Sequence, residues 1–128
     1  LVDLTEDPVF QMEILLEELN EMRIKVAGKG PVPSLDVGTV FLRALLVGNK
    51  CEVKNAMEAY RRFENDFRDA FPLLPVSAQG GMNLDELRKE IYQILDILRV
   101  YTKTPGKEPD LTEPVILKKG STVGDVAL

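Results

Sequence analysis

A chain of 128 residues, 45% apolar and 29% charged, is long enough to bury one modest core and too hydrophobic for a disordered tract. Its net charge of −5 leaves no chain-wide footprint for nucleic acid or a membrane surface, so basic contacts must be local if they exist. A single cysteine, Cys51, and no histidine exclude an internal disulfide, a Cys/His zinc set and any Ser-His or Cys-His dyad. A reducing, cytoplasmic setting is the default for such a chain. No apolar run approaches transmembrane length and no secretory leader is visible, so no membrane partner is expected. The first residue is Leu1, and LVDL reads like the end of a strand, so the expectation is a piece of a longer protein.

In chain order, LVDL (1–4) predicts a short strand. Asp7 is placed as a helix N-cap with Pro8 at the first helical position. The helix to Met22 is expected to bury Met12, Leu15, Leu16, Leu19 and Met22 and to turn Glu13, Glu17, Glu18 and Glu21 to solvent. RIKV (23–26) alternates as a strand, and AGKGPVPS (27–34) is rich in turn residues. VFLRALLV (40–47) is nearly all apolar, as expected of one strand covered on both faces of a parallel sheet. A second helix is expected over Val53 to Ala70, with Ala56, Tyr60, Phe63, Phe67 and Ala70 on one side, stopped by Phe71-Pro72. LLPV (73–76) reads as a buried strand. Asn83 and Glu86 resemble a capping box for a third helix to about Ile97, burying Leu84, Leu87, Ile91, Ile94 and Leu95. Strands alternating with helices predict an α/β unit with a mainly parallel sheet. The character changes near residue 98: strands are expected at RVYTK (99–103) and PVILKKG (114–120), separated by a turn-rich loop, and STVGDVAL starts a helix with a serine cap. The segment 99–128 is too short to bury a core alone.

In open α/β sheets, ligands bind beyond the carboxyl ends of the strands. Two strands end in sharply turning polar segments, VGNKCE (47–52) and SAQGG (77–81), which would lie side by side. An Asn amide both donates to and accepts from a base edge. A carboxylate accepts from two adjacent N–H groups such as guanine offers, and a lysine stem can lie along a ring face. A turn can aim a backbone N–H at a carbonyl oxygen. The pair of strand ends is thus a candidate guanine reader.

Asn49-Lys50-Cys51-Glu52 resembles the Asn-Lys-x-Asp motif of P-loop GTPases, and Ser77-Ala78-Gln79 resembles their Ser-Ala-Lys motif, with one helix and one strand between them. From Leu98 through the Glu-Pro-Val-Ile-Leu-Lys-Lys-Gly-Ser-Thr-Val-Gly-Asp-Val-Ala stretch, the chain resembles the opening of a TGS domain. It is most similar there to the one carried by the developmentally regulated GTP-binding proteins of the Obg-related branch. The resemblance implies an α/β fold: a partial GTPase-type parallel sheet with flanking helices over 1–98, followed over 99–128 by the first half of a TGS (ubiquitin-like β-grasp) domain. It also implies GTP or GDP as the ligand and a ribosome- or RNA-associated parent protein. Asn49 would contact the imidazole side of guanine, Lys50 would lay its stem over the base, and Glu52 would accept from the guanine amino and ring N–H. Ala78 would offer its backbone N–H to the guanine oxygen and Ser77 would steady the loop. Two departures stand out: Glu52 is one methylene longer than the motif's Asp, and Gln79 replaces a lysine.

No G-x-x-x-x-G-K-[ST] occurs. Gly28-Lys29-Gly30 lacks the upstream Gly and the following Ser or Thr, and the DVG at 36–38 does not properly follow a strand. Without a phosphate cradle and Mg2+, which would belong only to the full-length protein, this segment is not expected to hydrolyse GTP by itself. No catalytic residue and no metal ligand is assigned. The alternative is a non-catalytic RNA or protein interaction module with a vestigial nucleotide pocket, to which the departures at 52 and 79 point. Lys103, Lys107, Lys118 and Lys119 are the RNA-contact candidates, since TGS domains are associated with RNA or ribosome contact. Arg61, Arg62 and Arg68 interleave with carboxylates and read as surface ion pairs. Cys51 reads as a small filler, Gly80-Gly81 as turn chemistry and Met12 with Met22 as core. An exposed sheet edge at LVDL would favour self-association between copies.

Overall fold

The computed structural model describes residues 1–31, 37–109 and 111–126. The expected loop at 27–34 and Asp36 of the DVG triplet therefore lie partly outside the described residues. The chain divides into two compact units, Leu1–Ile94 and Leu95–Leu128. Among the described residues no helix is long and apolar enough to cross a membrane.

The first unit is α/β, with a parallel sheet and flanking helices. Strand β1 (Val2–Asp3) leads into α1 (Pro8–Glu21). The Asp7 carboxylate accepts from the N–H groups of Val9 and Phe10, satisfying donors that a helix start otherwise leaves orphaned. The buried seam of α1 is narrower than its sequence suggests. Met12 is buried and Val9 and Leu16 pack against the core, but Leu15 is 41% and Met22 67% exposed. Arg23, at φ 58, turns the chain out of the helix into β2 (Ile24–Ala27).

The apolar run 40–47 is not one strand. It divides into β3 (Val40–Arg43), parallel to β2, and β4 (Leu46–Asn49), which belongs to a different sheet. The hand-over is visible in the hydrogen bonds: Ala44 N–H still donates to Ala27, whereas Leu46 N–H donates to Pro72. Only β4 is covered; Val40 is 55% and Leu42 48% exposed. The central sheet has the order β1-β4-β5, all parallel, with β5 at Leu73–Pro75 and register Leu46↔Leu73 to Gly48↔Pro75. Pro75 can stand in β5 because a proline is tolerated in an edge strand, where one ladder donor can be missing. At Gly48 a Cβ would lie 2.7 Å from Leu4 Cδ2, so the approach of Leu4 to β4 requires glycine there.

Between β4 and β5 runs α2 (Ala56–Phe67), shorter at both ends than its apolar spacing implies. Ala56, Tyr60 and Phe63 face the core with Leu4, Met12, Leu46 and Phe71, and Phe63 is fully buried. Phe67 tilts against Phe63 with ring centroids 5.1 Å apart. Helix α3 (Leu84–Leu95) fully buries none of its residues; Leu84, Leu87 and Ile94 are half-buried and Ile91 and Leu95 are exposed, so the expected stripe is only partly covered within the described residues. Asn83, at φ 60, gives its side-chain N–H to the Pro75 carbonyl, tying the start of α3 to β5.

In the second unit, β6 (Ile97–Val100) and β7 (Val115–Lys118) form an antiparallel pair, from Ile97↔Lys118 to Val100↔Val115. A short helix α4 (Val123–Val126) follows. Thr122, rather than Ser121, sits at its start and donates its N–H and hydroxyl to the Asp125 carboxylate.

Candidate functional site

Because β1, β4 and β5 are parallel neighbours, their carboxyl ends share one rim. The ladder continues beyond β5: Val76 N–H donates to Gly48 O at 2.8 Å and Cys51 N–H to Val76 O at 3.1 Å. The segments 49–52 and 77–80 are thereby held against each other. Asn49, half-buried at the last position of β4, accepts at Oδ1 from the Ala78 N–H at 3.0 Å. That bond engages Oδ1 as an acceptor and leaves Nδ2 as the donor of the amide.

Ser77 is fully buried. Its Oγ accepts from the Gly80 N–H at 2.8 Å, and its own N–H donates to the Met82 carbonyl at 3.1 Å. A Cβ on Gly80 would lie 2.9 Å from that Oγ, so the turn leaves little room for a side chain. Ala78, Gln79 and Glu52 are exposed. Cys51, between two reader candidates, is buried with its Sγ 3.6 Å from Met82 Sδ. Burial, then the nearby Glu52 carboxylate, pushes its thiol pKa up, the opposite of what an activated nucleophile needs.

Lys50 stands at φ 66, a left-handed conformation uncommon for a residue with a side chain. The turn sends its side chain across β4 toward β1, where Nζ meets Asp3 Oδ2 at 2.5 Å. Asp3 is paired in register with Asn49, so both carboxyl ends bear on the same spot. Thr5 donates its N–H and hydroxyl to the other oxygen, Asp3 Oδ1, at 2.9 and 2.6 Å. Gln11 brackets the Asp3 backbone, accepting from its N–H and donating to its carbonyl, each at 2.9 Å. The Lys50 ammonium, then the Thr5 donors, hold the Asp3 carboxyl down at about 2. Asp3, followed by Glu6 and Glu52 more weakly, raises the Lys50 ammonium above its ordinary value. Sequence reading missed Asp3, Thr5 and Gln11; the available signal was an acid at the end of a strand that pairs beside the Asn-Lys turn.

Gly28-Lys29-Gly30 serves packing. A Cβ on Gly28 would lie 2.1 Å from Ala70 O. Lys29 N–H donates to Ala70 O at 2.9 Å, its Nζ donates to the Arg68 carbonyl, and Arg43 donates to the Gly28 and Gly30 carbonyls. These donors are spent on the C-terminal end of α2 and on the loop itself. A cleft of about 670 Å³ opens between the starts of α1 and α2, flanked by Thr5 and Val53. Its walls carry the carboxylates of Glu6, Asp7, Glu58 and Asp66 beside the cations of Lys54 and Arg62, and none of the six reader candidates lines it.

In the second unit the four candidate lysines are exposed and fall into two pairs. Lys103 and Lys107 follow the Val100 end of the β6–β7 pair. Lys118 and Lys119 lie at the opposite, Ile97 end, where Lys119 Nζ approaches Asp96 at 3.6 Å.

No protein-family model matches the chain. It is 34% identical over 122 residues to a GTP-binding protein of Methanocaldococcus jannaschii, covering 94% of this chain and 28% of that protein. The developmentally-regulated GTP-binding protein 1 homolog of Dictyostelium discoideum is 39% identical over 69 residues, 53% of this chain and 19% of that protein. Ribosome-interacting GTPase 1 of Saccharomyces cerevisiae is 42% identical over 45 residues, 35% of this chain and 12% of that protein. The chain thus spans under a third of the length of these curated relatives. By these similarities and by its parallel α/β sheet, it belongs to the developmentally regulated GTP-binding protein family, matching a part of the length of its members.

Proposed function

We propose that this chain supplies guanine recognition in a cytoplasmic, ribosome- or RNA-associated GTP-binding protein and leaves the phosphate contacts to other parts of that protein. The observation that carries the proposal is the Asn49–Ala78 hydrogen bond at 3.0 Å, which joins the ends of two parallel strands into one rim. With Oδ1 engaged, Asn49 Nδ2 is the donor that an acceptor nitrogen on the imidazole edge of guanine needs. Lys50 lays its stem across the ring, Glu52 accepts from the ring N–H and amino group, and the Ala78 N–H is shared between Asn49 and the guanine oxygen. Ser77 keeps the turn closed and Gln79 borders it. Ligands are GDP and GTP. Mg2+ is assigned, with the phosphates it would accompany, to the longer protein. Hydrolysis belongs to the longer protein.

A second reading has one specific observation in its favour: the Ala78 N–H is already satisfied by Asn49 without any base. Together with Glu52 and Gln79 at motif positions, this suits a vestigial pocket in an RNA- or protein-binding module. In both readings the second unit is the first half of a TGS domain, whose Lys103, Lys107, Lys118 and Lys119 face RNA. Its antiparallel pair followed by a helix supports that assignment. The edge position of β1 in the described sheet supports self-association of the isolated chain through that strand. Calorimetry of GDP against ADP, on wild type and Glu52→Asp, separates the readings. A live pocket binds GDP more tightly than ADP, and the shorter carboxylate preserves or tightens that binding. Equal binding of both nucleotides, or none to either form, supports the vestigial reading.

A further inference from the structure

We infer that Asp3 is a positioning residue for guanine recognition, acting through Lys50; the inference rests on the base-recognition reading above. A lysine stem is a poor platform when free, because its four methylenes sample many rotamers and a planar ligand must freeze them. Here both ends of the stem are fixed. The Cα end is set by the left-handed turn at φ 66, and the ammonium is held on Asp3 Oδ2 at 2.5 Å. The stem therefore bridges the rim from the end of β4 to the end of β1, beside the Asn49 amide.

The acid is itself preset. Its two oxygens have separate duties: Oδ1 takes both Thr5 donors and Oδ2 takes Lys50. Its backbone is gripped on both sides by the Gln11 amide, from the first turns of α1. A surface ion pair that served only as a chance contact would not need this support. Both duties require acceptors, so an amide at position 3 serves one of them but not both. The expected consequence is specific: removing Asp3 frees the Lys50 stem, weakens stacking on the base, and leaves the polar base contacts of Asn49 and Ala78 in place.

The test is a double-mutant cycle on the 128-residue chain, with GDP and ADP affinities measured for wild type, Asp3→Ala, Lys50→Ala and the double variant. Dispersed amide spectra of each variant establish that it is folded. Asp3→Asn is the second variant, should the alanine change unfold the chain. GDP binding is expected to weaken about fivefold in Asp3→Ala and less in Asp3→Asn, with no further loss when Asp3→Ala is added to Lys50→Ala. A loss that persists undiminished in the Lys50→Ala background, or wild-type affinity in both position-3 variants, overturns the inference while the base-recognition reading stands. A wild-type chain that does not prefer GDP to ADP overturns that reading and the inference with it.

Discussion

Asp3 and Lys50 show how much a single pair can settle about a rim. Their geometry makes a pH prediction with a definite sign. The folded-state pKa of Asp3 lies at about 2, below the ordinary Asp value of about 3.9, so the ionised form is favoured by folding. That contribution is fully present above about pH 4 and is lost as pH falls through about 2. Carboxyl NMR should therefore find Asp3 titrating near pH 2, and the Lys50→Met variant should return it toward the ordinary range; an unchanged low value in that variant would show that Lys50 is not the main cause. None of this could be read from LVDL, because only strand pairing brings residue 3 beside residue 50. The Asn49 and Ala78 pairing was more accessible, since two polar strand ends flanking one helix must meet if the strands are parallel neighbours.

At the scale of elements, local rules were legible and tertiary competition was not. Asp7 and Pro8 mark the start of α1 because a cap is decided by the next three residues. The run 40–47 looked like one buried strand because hydropathy does not say which partner each amide chooses; β2 takes the first half and β1 with β5 the second. Likewise, apolar spacing in α3 marks a face without saying what covers it. The Gly28-Lys29-Gly30 loop is held in place by α2. Gly28→Ala drives a Cβ to 2.1 Å from the Ala70 carbonyl oxygen, a backbone atom that cannot swing away. We expect a loss of at least about 2 kcal/mol in urea unfolding, with an unchanged preference for GDP over ADP. Wild-type stability would mean that the loop and α2 do not pack this closely in solution.

For the molecule as a whole, the two units carry separable predictions. RNA docking through the second unit requires binding to weaken with added salt, by roughly 0.7 in log–log slope for each phosphate contact on a single strand. Lys103→Ala with Lys107→Ala should reduce that slope more than Lys119→Ala, whose ammonium already faces Asp96. Fluorescence anisotropy across a salt series reads this, and a flat series contradicts RNA docking. The central claim concerns the first unit: the ends of β4 and β5 grip one guanine ring. The direct measurement is an NMR titration of the chain with GDP, IDP and ADP, following the Asn49 side-chain amide and the Ala78 backbone amide. GDP should shift both signals, IDP should shift them at higher concentration because it lacks the amino group proposed as the partner of Glu52, and ADP should leave them in place. Equal shifts with ADP, or GDP shifts confined to the cleft between Thr5 and Val53, would contradict the account.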